Sequence, residues 1–198
     1  MLDALRAEVR TQQAPAREPT PRAARIASQS VQTTAQGGAR GDDGGKKSTG
    51  RKRHSSVDVL GRLLVVFVSS AALDDAVAAP HVLKHLELAT YPRLEVVWAD
   101  SKYHNHGLNE WIATEAPGTW RLEVVRRPEG SKGFVLLPKR WVVERTLAWL
   151  GRCRRNSKDY EYRSDSSESM IRISAMHLML KRLKPSNVYR PFRYRDAA

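Results

Sequence analysis

Apolar residues are concentrated in one part of this chain, and their distribution limits how much of it can form a hydrophobic core. Residues 57–183 contain several sustained apolar runs, whereas residues 1–56 contain almost none. A chain of 198 residues is long enough for one domain with a core and too short for two comfortable ones. We therefore predict a disordered polar leader over residues 1–24, one domain over residues 25–183 and a C-terminal tail over residues 184–198.

The order of the predicted elements indicates the fold class. Residues 25–33 have the composition of a strand, and residues 54–70 predict two strands that turn at Leu60 and Gly61. Later patterns predict helix 73–90 beginning near Pro80, strand 94–100, helix 103–116, strand 120–127, helix 140–155 and helix 166–183, the last with an Asp165 and Glu168 capping box. This order predicts an α/β fold of the ribonuclease H-like type: a mixed sheet, made of a three-stranded meander plus parallel strands, flanked by helices. Element order alone also fits a generic α/β domain.

The chain is strongly basic, which indicates a polyanionic partner. It contains 34 lysines and arginines against 21 acidic residues, a formal net charge of +13. Phosphate contacts supply affinity to such a surface, so nucleic acid is the expected partner and an anionic membrane surface the alternative. Basic residues cluster in the glycine-rich stretch 35–53, predicted to be a mobile loop, and in residues 139–163. The residues predicted to bind nucleic acid are Lys46, Lys47, Arg51, Lys52, Arg53, Lys139, Arg140, Arg145, Arg152, Arg154, Arg155 and Lys158.

Cysteine content and hydropathy predict the compartment. Cys153 is the only cysteine, so no disulfide framework is expected and the surroundings should be reducing. The first residues lack a signal-peptide core, and the longest apolar run, Leu63 to Val68, is far shorter than the roughly 18–20 residues that span a bilayer. We predict a cytoplasmic protein without a membrane segment.

Two carboxylates occupy positions suited to metal chemistry. Asp100 follows a predicted buried strand, at the end where α/β proteins place ligand-binding groups. Glu144 lies on the predicted helix 140–155, beside its apolar seam. The alternatives are a turn residue that closes the strand at Asp100 and, at Glu144, a surface acid paired with Arg140 one turn earlier.

A resemblance to a known family favours the metal-binding interpretation of both carboxylates. It rests on segments that occur in unbroken order from about Ile26 to Leu183: IASQSV, GRKRH, WADSKY, EVVRRPEGSKGFVLLPKRWVVERTLAWLGRCRRNSKDYE and SSES…HLMLKRL. The chain resembles insertion-sequence transposases of the insertion-sequence-five type, within the DDE superfamily. The resemblance implies a ribonuclease H-like catalytic domain in which three carboxylates hold two divalent metals, Mg²⁺ or Mn²⁺, for DNA cleavage and strand transfer. It also implies a nucleoid-associated bacterial protein that acts on DNA as a homodimer.

The resemblance assigns the catalytic and metal-binding positions residue by residue. Asp100 corresponds to the second acid, and Glu144 to the third, with Arg140 in the R-x-x-x-E arrangement. The first acid precedes the Ser-Gln-Ser-Val run, where this chain has Ala27. Because a methyl group cannot bind a metal, we predict weakened metal binding and impaired catalysis. The alternative is a non-catalytic DNA-binding remnant or a captured regulator.

Three further departures from the family pattern bear on that prediction. Lys102 stands where the family has small residues, and we expect it to compete with a metal for Asp100. Asp42 and Asp43 could replace the missing acid only if the glycine-rich stretch were ordered. Residues 1–24 do not resemble the family's N-terminal region and are predicted to be a truncated beginning.

Overall fold

A six-stranded mixed sheet organises the computed structural model, which describes residues 1–13, 17–35, 38–126 and 141–184. The strands are β1 (Ala23–Gln32), β2 (Gly41–Asp43), β3 (Ser48–Asp58), β4 (Leu63–Ser70), β5 (Val96–Ala99) and β6 (Arg121–Val124). The helices are α1 (Leu2–Gln13), α2 (Asp75–Leu83), α3 (His106–Glu115), α4 (Trp141–Gly151) and α5 (Ser164–Leu183). Within these ranges, no helix is both long and apolar enough to cross a membrane.

The strand pairing confirms the predicted combination of a meander with parallel strands. β1 pairs antiparallel with β3, and β3 pairs antiparallel with β4. β5 pairs parallel with β1, and β6 pairs parallel with β5. The predicted turn lies between β3 and β4, where Gly61 has a φ of 79° and Thr146 of α4 donates a hydrogen bond to its carbonyl at 2.8 Å. A side chain at position 61 would meet that hydroxyl, so glycine lets α4 pack closely against the turn.

Helices cover both faces of the sheet, because successive residues of a strand point to opposite sides. On β1, Ala24 and Ile26 pack into the core formed with α2 and α3. Ala27 packs instead against Val143 and Leu147 of α4. The far end of the same face is filled by β4 and α5, with Ile171 and Ala175 on the helix. The strand β1 is therefore central, and its odd-numbered residues face α4.

The predicted disordered leader is wrong, since residues 2–13 form α1. Its Val9 is fully buried, and Leu2 packs against the core beside α5. Buried arginines add to this docking: Arg6 donates to the carbonyl of Leu63 at 3.3 Å, and Arg10 forms an ion pair with buried Asp58. The partners of these arginines lie far away in the chain, so the sequence does not reveal this part of the docking.

The predicted mobile loop over 35–53 is also wrong from residue 41 onward. Residues 41–43 and 48–50 form a β-hairpin, while residues 36–37 lie outside the described structure. Asp43 orders its turn by accepting hydrogen bonds from the backbone nitrogens of Gly45 and Lys46, both at 3.1 Å. This part of the glycine-rich stretch is therefore an ordered turn, in which Lys47 has a φ of 48°.

Two helix starts differ from the predicted ones. α2 begins at Asp75 with Asp74 as its N-cap and continues through Pro80, because the fully buried residues Ala78, Ala79 and Val82 hold the helix against the sheet. The predicted capping box of α5 is absent from the structure. Its Glu168 instead accepts a hydrogen bond from the backbone of Val68 at 3.1 Å, which ties the helix to β4.

Candidate active site

A small cavity lies where β1, β5 and α4 meet, and the two predicted acids line it. Its volume is about 10 Å³, room for about one water molecule. It is lined by Arg25, Ile26, Ala27, Trp98, Ala99, Asp100, Val143 and Glu144. The fold thus brings together residues from three segments that are far apart in the sequence.

Ala27 and Asp100 both line this cavity. Arg25 on β1 is paired with Trp98 on the parallel strand β5, and Asp100 follows the last residue of β5. The position that the family resemblance assigns to the first acid therefore borders the same cavity as the second acid.

Asp100 caps a short 3₁₀ helix over Ser101–Tyr103. Its Oδ1 accepts a hydrogen bond from the backbone nitrogen of Lys102 at 2.9 Å, and the side chain is half-buried. The Nζ of Lys102 lies 3.7 Å from Oδ2 of Asp75. The predicted competition of Lys102 with a metal for Asp100 stays a prediction, and its ammonium group lies beside a carboxylate of α2.

Glu144 lies in the first turn of α4, beside the seam that anchors the helix. Val143, Leu147 and Leu150 are buried, whereas Glu144 itself is exposed. The next residue, Arg145, lies between two tryptophans, 4.3 Å from the ring of Trp141 and 4.5 Å from that of Trp149. Arg140 and Lys139 lie outside the described residues, so their predicted contacts with DNA and with Glu144 remain predictions.

Sequence reasoning missed a cation in the wall of the cavity. Arg25 points to the same side of β1 as Ala27 and is only 7% exposed. Its guanidinium carbon lies 4.9 Å from the ring of Trp98. Burial lowers the pKa of Arg25, while Asp58 and Glu144 raise it, and an arginine in such surroundings stays protonated. The signal was an arginine at an inward position of a central strand, which a count of charges along the chain does not reveal.

The predicted DNA-binding residues divide into exposed and buried groups. Those that are exposed are Lys46, Lys47, Arg152, Arg154, Arg155 and Lys158, and Arg145 is half-buried. The prediction is wrong for Arg51, Lys52 and Arg53, which are at most 5% exposed. Their side chains donate to backbone carbonyls of Glu161, Leu73 and Asn156. The sequence run was basic, but β3 turns these three residues into the protein.

Asp43 is ordered, yet it lies on the opposite face of the sheet from Ala27. It accepts a hydrogen bond from Ser30, whose side chain points toward the α2 side as Ile26 does. That hydrogen bond, followed by others from the hairpin turn and by nearby lysines, lowers the pKa of Asp43 to about 2. Asp43 therefore belongs to a second charged group, with Lys52 and Asp75, and not to the cavity.

The mixed sheet between two helical layers has the ribonuclease H-like fold that the sequence predicts. A family model described as the transposase DDE domain matches residues 16–180 of the chain. The chain belongs to this family, whose function is transposition and whose partner is DNA. No curated protein and no solved structure matches it.

DDE transposase domains generally use divalent metal ions, but the donors that the described residues bring to this cavity do not fit a pair of them. It offers the carboxylates of Asp100 and Glu144, the methyl group of Ala27 and the guanidinium of Arg25. Among the residues that the structure describes, no group of three histidines, cysteines or acids is placed to hold a metal. Divalent metals need several anionic oxygens, and a fixed positive charge opposes them.

Proposed function

We propose that this chain is a DNA-binding transposase domain of the insertion-sequence-five type whose cleavage and strand-transfer chemistry is severely impaired. One observation carries the proposal: Ala27 lines the same cavity as Asp100 and Glu144 and packs against α4, the helix that carries Glu144. A carboxylate at that position would complete a set of three acids. The methyl group cannot, and this supports a weakened response to Mg²⁺ or Mn²⁺.

The loss has a simple electrostatic consequence. Two divalent ions bring four positive charges into a small volume, and each carboxylate supplies one negative charge and two oxygen ligands. With Asp100 and Glu144 alone, the site for the second ion lacks the negative charge and the oxygen ligands of a third carboxylate. Metal-activated attack on a phosphodiester is therefore expected to fall by orders of magnitude, because it depends on both ions.

DNA binding depends on other residues and should survive. The exposed Arg152, Arg154 and Lys158 follow α4, and Lys46 and Lys47 lie in the hairpin turn. Cations of this kind bind the phosphate backbone, with an affinity that falls as salt rises and with little dependence on base sequence. We also infer association with the nucleoid and binding to DNA as a homodimer, both of which rest on the family resemblance.

A second candidate function is a non-catalytic regulator that occupies DNA ends without cutting them. Arg25 favours it, since a buried arginine in the cavity wall does not suit a metal-dependent enzyme. The two candidates differ in whether any metal-dependent cleavage is left.

The test measures nicking of supercoiled plasmid in Mg²⁺ and in Mn²⁺, together with DNA binding by fluorescence anisotropy at several salt concentrations. We expect salt-sensitive binding and no nicking above the level of a Glu144→Gln variant. Glu110→Gln, which removes an exposed acid from α3, is the matched control for loss of a charge. Nicking that Glu144→Gln abolishes and Glu110→Gln leaves intact would contradict the proposed impairment, and absence of DNA binding would contradict both candidate functions.

A further inference from the structure

Arg25 lines the same cavity as the two acids, and its charge interacts with Asp58 and with Glu144. It stands two residues before Ala27 on β1, so both side chains point to the same face of the sheet. Among the residues that the structure describes, the charged ones that line the cavity are Arg25, Asp100 and Glu144. Position 27 contributes no negative charge, while position 25 contributes a positive one.

The guanidinium is held in place by its neighbours. Arg25 and Trp98 are paired across β1 and β5, and the cation lies over the indole ring at 4.9 Å. This contact and the 7% exposure of Arg25 keep the charge inside the protein rather than at its surface. Coulombic interactions are stronger there than in water, so the charge influences its surroundings over several ångströms.

The lining therefore carries less negative charge than a site for divalent metals needs. Two carboxylates and one guanidinium leave one net negative charge among the described lining residues. Replacing Ala27 by aspartate would raise this to two, whereas removing Arg25 as well would raise it to three. In charge alone, the removal of Arg25 favours a divalent cation as much as the addition of an aspartate at position 27 does.

We propose that Arg25 is the resident cation of this cavity and opposes a divalent metal beside Asp100 and Glu144, so that restoring an aspartate at position 27 alone does not restore a metal site. The inference rests on the site assigned under the proposed function. It adds that the impairment has two independent causes, a missing ligand and an added charge. It also implies that DNA binding near the cavity needs no metal.

The experiment measures Mn²⁺ binding directly, from the loss of the electron paramagnetic resonance signal of free Mn²⁺ on addition of the full chain. The proteins compared are the unchanged chain, Ala27→Asp, the double variant Ala27→Asp with Arg25→Leu, and a matched double variant with Arg25→Lys, which keeps the charge. We expect Mn²⁺ affinity to rise about tenfold or more only in the double variant with leucine. The lysine variant should bind no better than Ala27→Asp.

Three outcomes would overturn the inference. One is that Ala27→Asp alone binds Mn²⁺ as tightly as the leucine double variant, and another is that the lysine and leucine variants bind equally. The third is that neither double variant binds. If circular dichroism shows that Arg25→Leu unfolds the protein, Arg25→Gln takes its place, because it removes the charge while keeping a polar side chain.

If the metal site itself is wrongly assigned, Mn²⁺ binding gives a different result. Adding Glu144→Gln to the leucine double variant should remove the new Mn²⁺ site. If Mn²⁺ still binds, the ion lies elsewhere and the assigned site is wrong. If Glu144→Gln removes binding but Ala27→Asp alone already binds fully, the site stands and the role of Arg25 is refuted.

Discussion

Two groups of buried charges in this domain differ in how completely the fold satisfies them. Arg51 and Asp159 form a buried ion pair at 3.1 Å, and Arg51 also donates to the carbonyls of Ala39, Glu161 and Tyr162. Asp159 accepts further hydrogen bonds from the Ser167 hydroxyl at 2.7 Å and the backbone of Glu161 at 3.1 Å. The cavity group around Arg25 includes an exposed acid, Glu144, and leaves space at Ala27.

This difference separates charges that hold the fold from charges that could serve chemistry. A buried ion pair with a complete set of hydrogen bonds cannot lose one member without leaving the other uncompensated. The cavity group borders solvent, so a change there alters the local charge more than the packing. We therefore expect substitutions in the first group to change stability and those in the second to change ligand binding.

The largest expected effect comes from removing Arg51. Arg51→Met leaves Asp159 and several carbonyls without their donor, and we expect the free energy of unfolding to fall by about 3–5 kcal/mol. Urea denaturation followed by circular dichroism measures this loss. Arg152→Met, which removes an exposed arginine, should change stability by less than about 0.5 kcal/mol. Equal losses in the two variants would show that the buried ion pair stabilises the fold no more than an exposed arginine does.

The buried side chain of His54 should make the stability of the domain depend on pH. His54 is fully buried, and burial lowers its pKa from 6.5 to about 4. The unfolded chain therefore takes up a proton between pH 6.5 and 4 that the folded protein does not, so stability falls as the pH drops through this window. The loss should approach about 3 kcal/mol near pH 4.

The check for His54 is the slope of unfolding free energy against pH. His54→Gln should flatten the slope between pH 6.5 and 4, even if it lowers stability overall. His85→Gln, at an exposed position, should leave the slope unchanged. An unchanged slope in His54→Gln would show that other groups cause the pH dependence.

A smaller loss is expected when α1 is detached from the sheet. Arg10→Met removes the guanidinium that pairs with Asp58, although Asp58 keeps Arg62 at 3.8 Å and two backbone donors. We expect a loss of about 2 kcal/mol, below that of Arg51→Met because the remaining partners still compensate the carboxylate. Thermal unfolding measures it, with exposed Arg17→Met as the control. No difference between the two variants would mean that α1 adds nothing to the domain.

The smallest effect on stability, and a clear one on DNA binding, is expected at the basic surface. Replacing Arg154 and Lys158 by glutamine should reduce the magnitude of the slope of log affinity against log salt by about 0.9 for each phosphate contact that is lost. The unfolding free energy should change by less than about 0.5 kcal/mol for each substitution. Lys84→Gln, on the exposed end of α2, should leave the slope as it is. An unaltered slope in the double variant would show that DNA binds to another surface of the protein.

Much of the sheet could be predicted because its strands carry apolar residues at regular spacing. β4 and β5 are short apolar runs, and the turn between β3 and β4 contains the glycine that its geometry requires. The positions of Asp100 and Glu144 came from the family resemblance. Both line one cavity because β5 pairs with β1 and α4 packs against β1.

The remaining features depend on buried polar contacts, which leave no periodic signal. α1 and β3 both owe their positions to arginines whose partners lie far away in the chain, such as Asp58 for Arg10 and Asp159 for Arg51. A basic residue in a sequence is read as exposed because most are. Arg25, Arg51 and Arg53 are exceptions that only the three-dimensional arrangement of carbonyls, acids and aromatic rings explains.

The Arg51–Asp159 pair also has a consequence for the order of folding. Its two residues are 108 positions apart, so closing this contact brings together the two ends of most of the domain. During synthesis, β3 leaves the ribosome long before Asp159 is added to the chain. The guanidinium of Arg51 therefore stays solvated until its partner is available. We infer that the meander forms early, while the segment before α5 packs onto β3 as one of the last steps.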